Sequence, residues 1–111
     1  MNYEELENWI KKKMNLRQGK NYQPIMILTL LQNNDKTTEE KIRKKIAAVN
    51  NHFLPVKKNK NPFDVLINHK VVRYNESEKK YELILDEPLS TKQRDTLVKL
   101  CKEKIEYISN Q

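Results

Sequence analysis

Apolar residues fall along this chain in blocks whose spacing changes from helical to strand-like and back again. Leu6, Trp9, Ile10 and Met14 recur at helical spacing. Glu4, Glu5 and Glu7 favour the N-terminal end of that segment and Lys11 to Lys13 its C-terminal end, so the pattern predicts an amphipathic helix over 3–14. Asn15 to Asn21 is a connection. Tyr22-Gln23-Pro24-Ile25-Met26-Ile27-Leu28-Thr29-Leu30-Leu31 then carries a proline in its first turn and is apolar on nearly every face, which predicts a buried central helix over 22–33. Asn33-Asn34-Asp35 ends it.

Thr37-Thr38-Glu39-Glu40 has the form of a capping box, and Ile42, Ile46 and Val49 make a single apolar stripe behind it. A helix over 38–50 follows, with Lys41, Arg43, Lys44 and Lys45 largely solvated. The segment from Asn50 to Lys60 is long for a helix–helix turn. Phe53 and Leu54 are expected to pin it to the core and leave a lysine run outside. Asn61-Pro62 reads as a cap and first-position pair, predicting a short helix over 61–69 with Phe63, Leu66 and Ile67 inward. Asp64, Val65, Asn68 and His69 are left toward solvent or a ligand.

Val71-Val72-Arg73-Tyr74 and Tyr81-Glu82-Leu83-Ile84-Leu85 switch to β-branched and aromatic residues around a polar tip, the signature of a hairpin over 71–75 and 81–85. Ser90-Thr91-Lys92-Gln93 is a second capping box. It opens a helix over 90–108 with Leu97, Leu100, Cys101, Ile105 and Ile108 on one side. The fold class is therefore α+β: a winged helix-turn-helix core at 22–85, an extra N-terminal helix and connection at 1–20, and a long C-terminal helix at 90–108, in a single domain spanning 1–111.

Composition narrows the function. The 111 residues carry a net charge of +7, and the excess is local. Residues 35–60 hold eight cations (Lys36, Lys41, Arg43, Lys44, Lys45, Lys57, Lys58, Lys60) against Asp35, Glu39 and Glu40, whereas 61–111 is balanced. Clustered positive charge focuses a field on an anionic polymer, while scattered charge mainly aids solubility. A single glycine, Gly19, excludes a glycine-rich phosphate loop and requires turns made by Asn, Asp and Pro. No apolar run approaches membrane-spanning length, and the acidic N-terminus is unlike a signal sequence. One cysteine, Cys101, implies no internal disulfide and a reduced, cytoplasmic setting.

The order of elements points to double-stranded DNA, read by the short helix with the hairpin alongside. Asn61, Asn68 and His69 are the residues able to face base edges. Lys57, Lys58, Asn59, Lys60, Arg73, Lys79 and Lys80 are the candidates for phosphate. Each has a plainer role to weigh against this one: Asn61 as a helix cap, His69 at a helix end, and Lys79 and Lys80 as a solubilised tip offset by Glu76 and Glu78.

Catalysis is not expected, nor is a cofactor or metal. Pro62-Phe63-Asp64 with Glu78-Lys79-Lys80 superficially follows the acidic-and-lysine pattern of a metal-dependent nuclease, but helix and hairpin tip do not bring those groups together. His52, His69 and Cys101 have no ligand spacing. The alternative is a winged helix that contacts a protein. Asp64, Glu76, Glu78 and Glu82 favour it, because they leave 61–85 neutral.

The chain also resembles the winged-helix modules appended N-terminally to nuclease or helicase-like regions in restriction-type systems. The resemblance rests on Tyr22-Gln23-Pro24-Ile25-Met26-Ile27-Leu28 with Leu30-Leu31, on Thr38-Glu39-Glu40-Lys41-Ile42, and on Asn61-Pro62 with Val65-Leu66. It continues through His69-Lys70-Val71-Val72, Tyr81-Glu82-Leu83, and Leu89-Ser90 with Gln93-Arg94, Leu97 and Leu100-Cys101. It covers roughly residues 20–108 and falls on core and capping positions, so it implies fold more than chemistry. It implies the recognition part of a restriction or modification system, acting with a nuclease or helicase-like effector. The turn before Thr37 and the position of Lys70 depart from it, since both usually carry glycine. The family's catalytic role is not expected to carry over, because residues 1–111 themselves hold no nuclease region.

Overall fold

A computed structural model describes residues 1–13, 22–50 and 63–109. The architecture is α+β, mostly helical around a small antiparallel sheet. Its elements are α1 (Tyr3–Asn8), α2 (Tyr22–Gln32), β1 (Lys36–Thr37), α3 (Glu39–Asn50), α4 (Asp64–Asn68), β2 (Val72–Asn75), β3 (Lys80–Leu83) and α5 (Thr91–Ser109).

The continuous helix expected over 3–14 is instead α1 followed by a wider π-helical turn, Trp9–Lys13. Asn2 caps α1 reciprocally: its Oδ1 accepts from the Glu5 N–H at 2.8 Å, and the Glu5 carboxylate accepts from the Asn2 N–H at 3.2 Å. Such a π turn inserts an extra residue into the helical repeat. It lies where Trp9 and Ile10 enter the core.

The second helix is central, as its sequence requires. Gln23 to Leu31 are all buried in α2, which packs between α3 and α5 and touches β1 and β3. Leu6, Trp9, Ile10, Ile42, Ile46, Phe63, Leu66, Val71, Val72, Tyr81, Leu83, Leu97 and Cys101 complete the core around it. At ~0.8 kcal/mol per buried methylene, this shared core is the main term opposing chain entropy.

The expected capping box before α3 is shifted and half closed. Thr38 caps, its Oγ1 accepting from the Lys41 N–H at 3.3 Å, while Thr37 is drawn into a strand and buried. That strand, β1, was not foreseen. It pairs antiparallel with β3, Lys36 opposite Glu82 and Thr37 opposite Tyr81, so the sheet order is β1-β3-β2. In contrast, the box before α5 forms as read: the Ser90 N–H donates to Gln93 Oε1 at 3.0 Å and the Gln93 N–H to Ser90 Oγ at 3.1 Å. Hairpin and long helix follow their expected ranges within two residues.

The turns that a single glycine cannot make are left-handed at other residues. Asn34 (φ 59°), Asp35 (φ 73°), Lys70 (φ 59°) and Lys79 (φ 56°) all lie in the glycine-favoured region. Asn and Asp tolerate it; lysine does so at a cost. At Lys70 the backbone closes the end of α4, with the Lys70 N–H on the Ile67 carbonyl and the Val71 N–H on the Leu66 carbonyl, both at 3.0 Å. Lys70→Gly should therefore stabilise the fold by about 0.5–1 kcal/mol, the relief of the left-handed backbone outweighing the extra entropy of glycine in the unfolded chain. Thermal melting checks this, and a lowered midpoint would contradict it.

Candidate functional site

Four consecutive features build the site and pack on one another: α4, the Lys70 turn, β2 and β3. Phe63 opens α4, its carbonyl accepting the Ile67 N–H at 3.1 Å. The Asn61-Pro62 pair expected to start this helix lies outside the described residues, as do Lys57, Lys58, Asn59 and Lys60. Phe63 and Leu66 are fully buried and Ile67 half-buried, which turns Asp64, Asn68 and His69 to solvent as expected. The side chain of Val65 is outside the described set.

His69 has a neighbour that sequence reasoning missed. Its ring lies 6.1 Å from that of Trp9, tilted by 53°, so the N-terminal segment props the C-terminal end of α4. The Trp9 Nε1 is buried and meets no acceptor among the described residues.

In the hairpin, alternation sorts the side chains onto two faces. Val72, Tyr74, Tyr81 and Leu83 share the inner face, where Tyr74 lies opposite Tyr81 in the β2–β3 register. Arg73, Glu82 and Lys36 share the outer face in one cross-strand row, since Glu82 lies opposite both Arg73 and Lys36. Arg73 Nε donates to Glu82 Oε1, and Lys36 Nζ reaches Glu78 at 3.1 Å. Two of the hairpin-side cations are thus committed to carboxylates. Lys79 is exposed in the turn and Lys80 half-buried at the start of β3.

The basic excess in 35–60 is sorted in the same way. Arg43 pairs with Glu39 at 3.4 Å and Lys44 with Glu40 at 3.1 Å, each one helical turn apart. Lys41 and Lys45 on α3 have no carboxylate partner among the described residues, and neither do Lys70, Lys79 and Lys80. Surface pairs of this kind contribute little to stability, about 0–1 kcal/mol each, but they lower the charge offered to a partner.

An aromatic row crosses the inner side of the hairpin. Arg43 sits 5.3 Å above the Phe63 ring. The rings of Phe63 and Tyr81 meet edge-on at 5.2 Å, and those of Tyr81 and Tyr74 at 4.9 Å. Tyr81 also donates its hydroxyl to Glu39 at 3.4 Å, so Glu39 is held by two members of the row, Arg43 and Tyr81. Phe63 and Tyr81 are buried, whereas Tyr74 is 43% exposed.

Groups suited to other chemistry are dispersed. Asp64 lies in the first turn of α4, while Glu78 is in the hairpin turn and tied to Lys36. Burial pushes the Cys101 thiol up to about 12, so it is neither a nucleophile nor a thiolate ligand near neutral pH. Among the described residues, no three His, Cys, Asp or Glu side chains converge, and no helix is long and apolar enough to cross a membrane. The chain matches no family model, no curated protein and no solved structure.

Proposed function

We propose that this chain is a winged helix-turn-helix module that binds double-stranded DNA, with α4 as the reading helix and β2–β3 as the wing. The observation that carries the reading is the sequence of elements α2-β1-α3-α4-β2-β3 combined with the sheet order β1-β3-β2. That arrangement sets a short helix with an outward polar face directly beside a hairpin, the juxtaposition that lets one element enter a groove while the other rests on the backbone. The net charge of +7 supplies the electrostatic term.

Asn68 and His69 are the base-edge candidates on the exposed end of α4. Lys57, Lys58 and Lys60, with Asn59 and Asn61, supply the approach to phosphate, joined by Lys79 and Lys80. Arg73 is assigned a lesser share because Glu82 already holds it. The module acts by binding rather than catalysis. Its place in a restriction-type system, beside a nuclease or helicase-like effector, rests on the resemblance of its sequence alone.

A protein-binding winged helix is the competing reading, and the pairing of Arg73 with Glu82 and of Lys36 with Glu78 favours it. Fluorescence anisotropy with a random-sequence duplex between about 50 and 200 mM salt separates the two. DNA binding requires an affinity that falls by about 0.9 log unit per log unit of salt for each phosphate neutralised. Exchanging Lys57 and Lys58 together for alanine should reduce that slope by up to about 2 and weaken binding on every duplex alike. Absence of binding at the lowest salt would sink the DNA reading, and an unchanged slope in the double variant would sink the assignment to these lysines.

A further inference from the structure

The aromatic row ends at the surface in a side chain that neither charge nor composition selected. We infer that Tyr74, braced by Tyr81, whose ring in turn meets Phe63, is a contact residue of the duplex-binding face and packs against the sugar–phosphate backbone beside α4. The inference rests on the DNA-binding reading above.

Three observations carry it. Tyr74 belongs to the inner face of the hairpin, the side turned toward α4, because its partner across the strands, Tyr81, meets the Phe63 ring at 5.2 Å. The Arg73–Glu82 row occupies the opposite, outer face. Tyr74 is also held before any partner arrives. Its ring lies 4.9 Å from the buried Tyr81 ring at 64°, so immobilising it costs less rotamer entropy than immobilising a lysine. Finally, it is far more exposed than an inward-facing hairpin aromatic needs to be. At 43% it contrasts with 4% for Tyr81.

The chemistry favours a nucleic-acid backbone over an apolar protein groove. A tyrosine offers a flat apolar ring to a sugar and a neutral O–H donor to a phosphate oxygen, and tyrosine hydroxyls are among the usual phosphate donors. Glu39, which accepts from the Tyr81 hydroxyl, is also engaged by Arg43, which mutes its repulsion of an anion. Arg43, at the inner end of the row, is itself part-exposed, with 32% of its side chain accessible.

The test compares wild type, Tyr74→Phe and Tyr74→Ala on a labelled random-sequence duplex at about 100 mM salt, with thermal melts alongside. The alanine variant should bind about tenfold more weakly, and its salt slope should match wild type because a neutral donor releases no counterion. Loss in the phenylalanine variant as well assigns the contact to the hydroxyl; full affinity there assigns it to the ring. A photoreactive phenyl azide in place of the tyrosine hydroxyl at position 74 should crosslink to the duplex, whereas the same group at Tyr107, 55% exposed near the end of α5, should not. This second measurement keeps the ring and so stands even if Tyr74→Ala folds poorly. Alanine affinity within twofold of wild type, or equal crosslinking from both positions, overturns the inference and leaves DNA binding intact. Failure of wild type to bind any duplex removes both and turns this face over to a protein partner.

Discussion

Arg94→Ala should lower the unfolding free energy by about 2–3 kcal/mol, a loss far larger than that of an exposed ion pair. The guanidinium makes a fork on Asp35, Nη1 to Oδ1 at 2.6 Å and Nη2 to Oδ2 at 3.0 Å, and Nη1 also donates to the Leu31 carbonyl at 2.8 Å. That carbonyl belongs to the last turn of α2, where helical partners run out and a cation is favoured. Asp35 is itself tied to three parts of the fold. Its N–H donates to the Leu30 carbonyl at 2.7 Å, its carbonyl accepts from the Leu83 N–H at 2.9 Å, and its side chain meets α5. One arginine therefore joins the end of the central helix, the sheet and the C-terminal helix. The Asp35 hydrogen bond raises the Arg94 pKa above its ordinary value, with burial opposing, so the charge is constant across working pH.

Removing the guanidinium leaves a part-buried carboxylate and a helix-end carbonyl without their donor, which is why the cost exceeds that of a solvated pair. Arg94→Lys keeps the charge but not the fork, and should recover less than half of the loss. Urea denaturation of the two variants, with Asp35→Asn as the third corner, checks the coupling. If Arg94→Ala costs under about 0.5 kcal/mol, the fork is an ornament of the surface.

None of that network was legible in the sequence, although Arg94 and Asp35 were both in view. The partners are 59 residues apart, and nothing local links them. The same reason hid β1. Two residues, Lys36 and Thr37, have no periodicity of their own and become a strand only because β3 supplies partners from residues 81 and 82. Elements whose cause is local were readable: the all-round apolar α2, the Ser90–Gln93 box, the inward trio of α4 and the hairpin. The π turn at Trp9–Lys13 was not, because Leu6, Trp9 and Ile10 satisfy an ordinary helical stripe equally well.

At the candidate site the balance is similar. Composition located the cations but not their partners. Lys36, Arg43, Lys44 and Arg73 each meet a carboxylate, so a count of cations alone overstates the positive field at those positions. The turn before Thr37 and the end of α4 are left-handed, at Asn34, Asp35 and Lys70. In a chain with a single glycine such turns fall to other residues, and lysine bears a larger backbone cost there than Asn or Asp.

Phe63 is the residue through which stability and binding should part company. Phe63→Ala removes a fully buried ring that Arg43 overlies and Tyr81 meets edge-on, at the point where α4 begins. The expected cost is about 3–5 kcal/mol, with the cavity term added to lost transfer energy and to a ring pair worth about 1 kcal/mol. Phe63→Leu fills most of that volume and should cost nearer 1–2 kcal/mol, leaving the protein folded at room temperature. What leucine cannot restore is the edge-on register between α4 and the hairpin, because that depends on two rings at 5.2 Å and 68°. If α4 reads DNA while the hairpin rests on its backbone, loosening that angle spreads the two contacts over many geometries. Affinity should then fall severalfold with the salt slope kept, since every cation remains. Salt-dependent anisotropy on the folded leucine variant decides it. Wild-type affinity would mean that α4 and the hairpin do not act on one ligand together, and a changed slope would place the defect in the phosphate contacts instead.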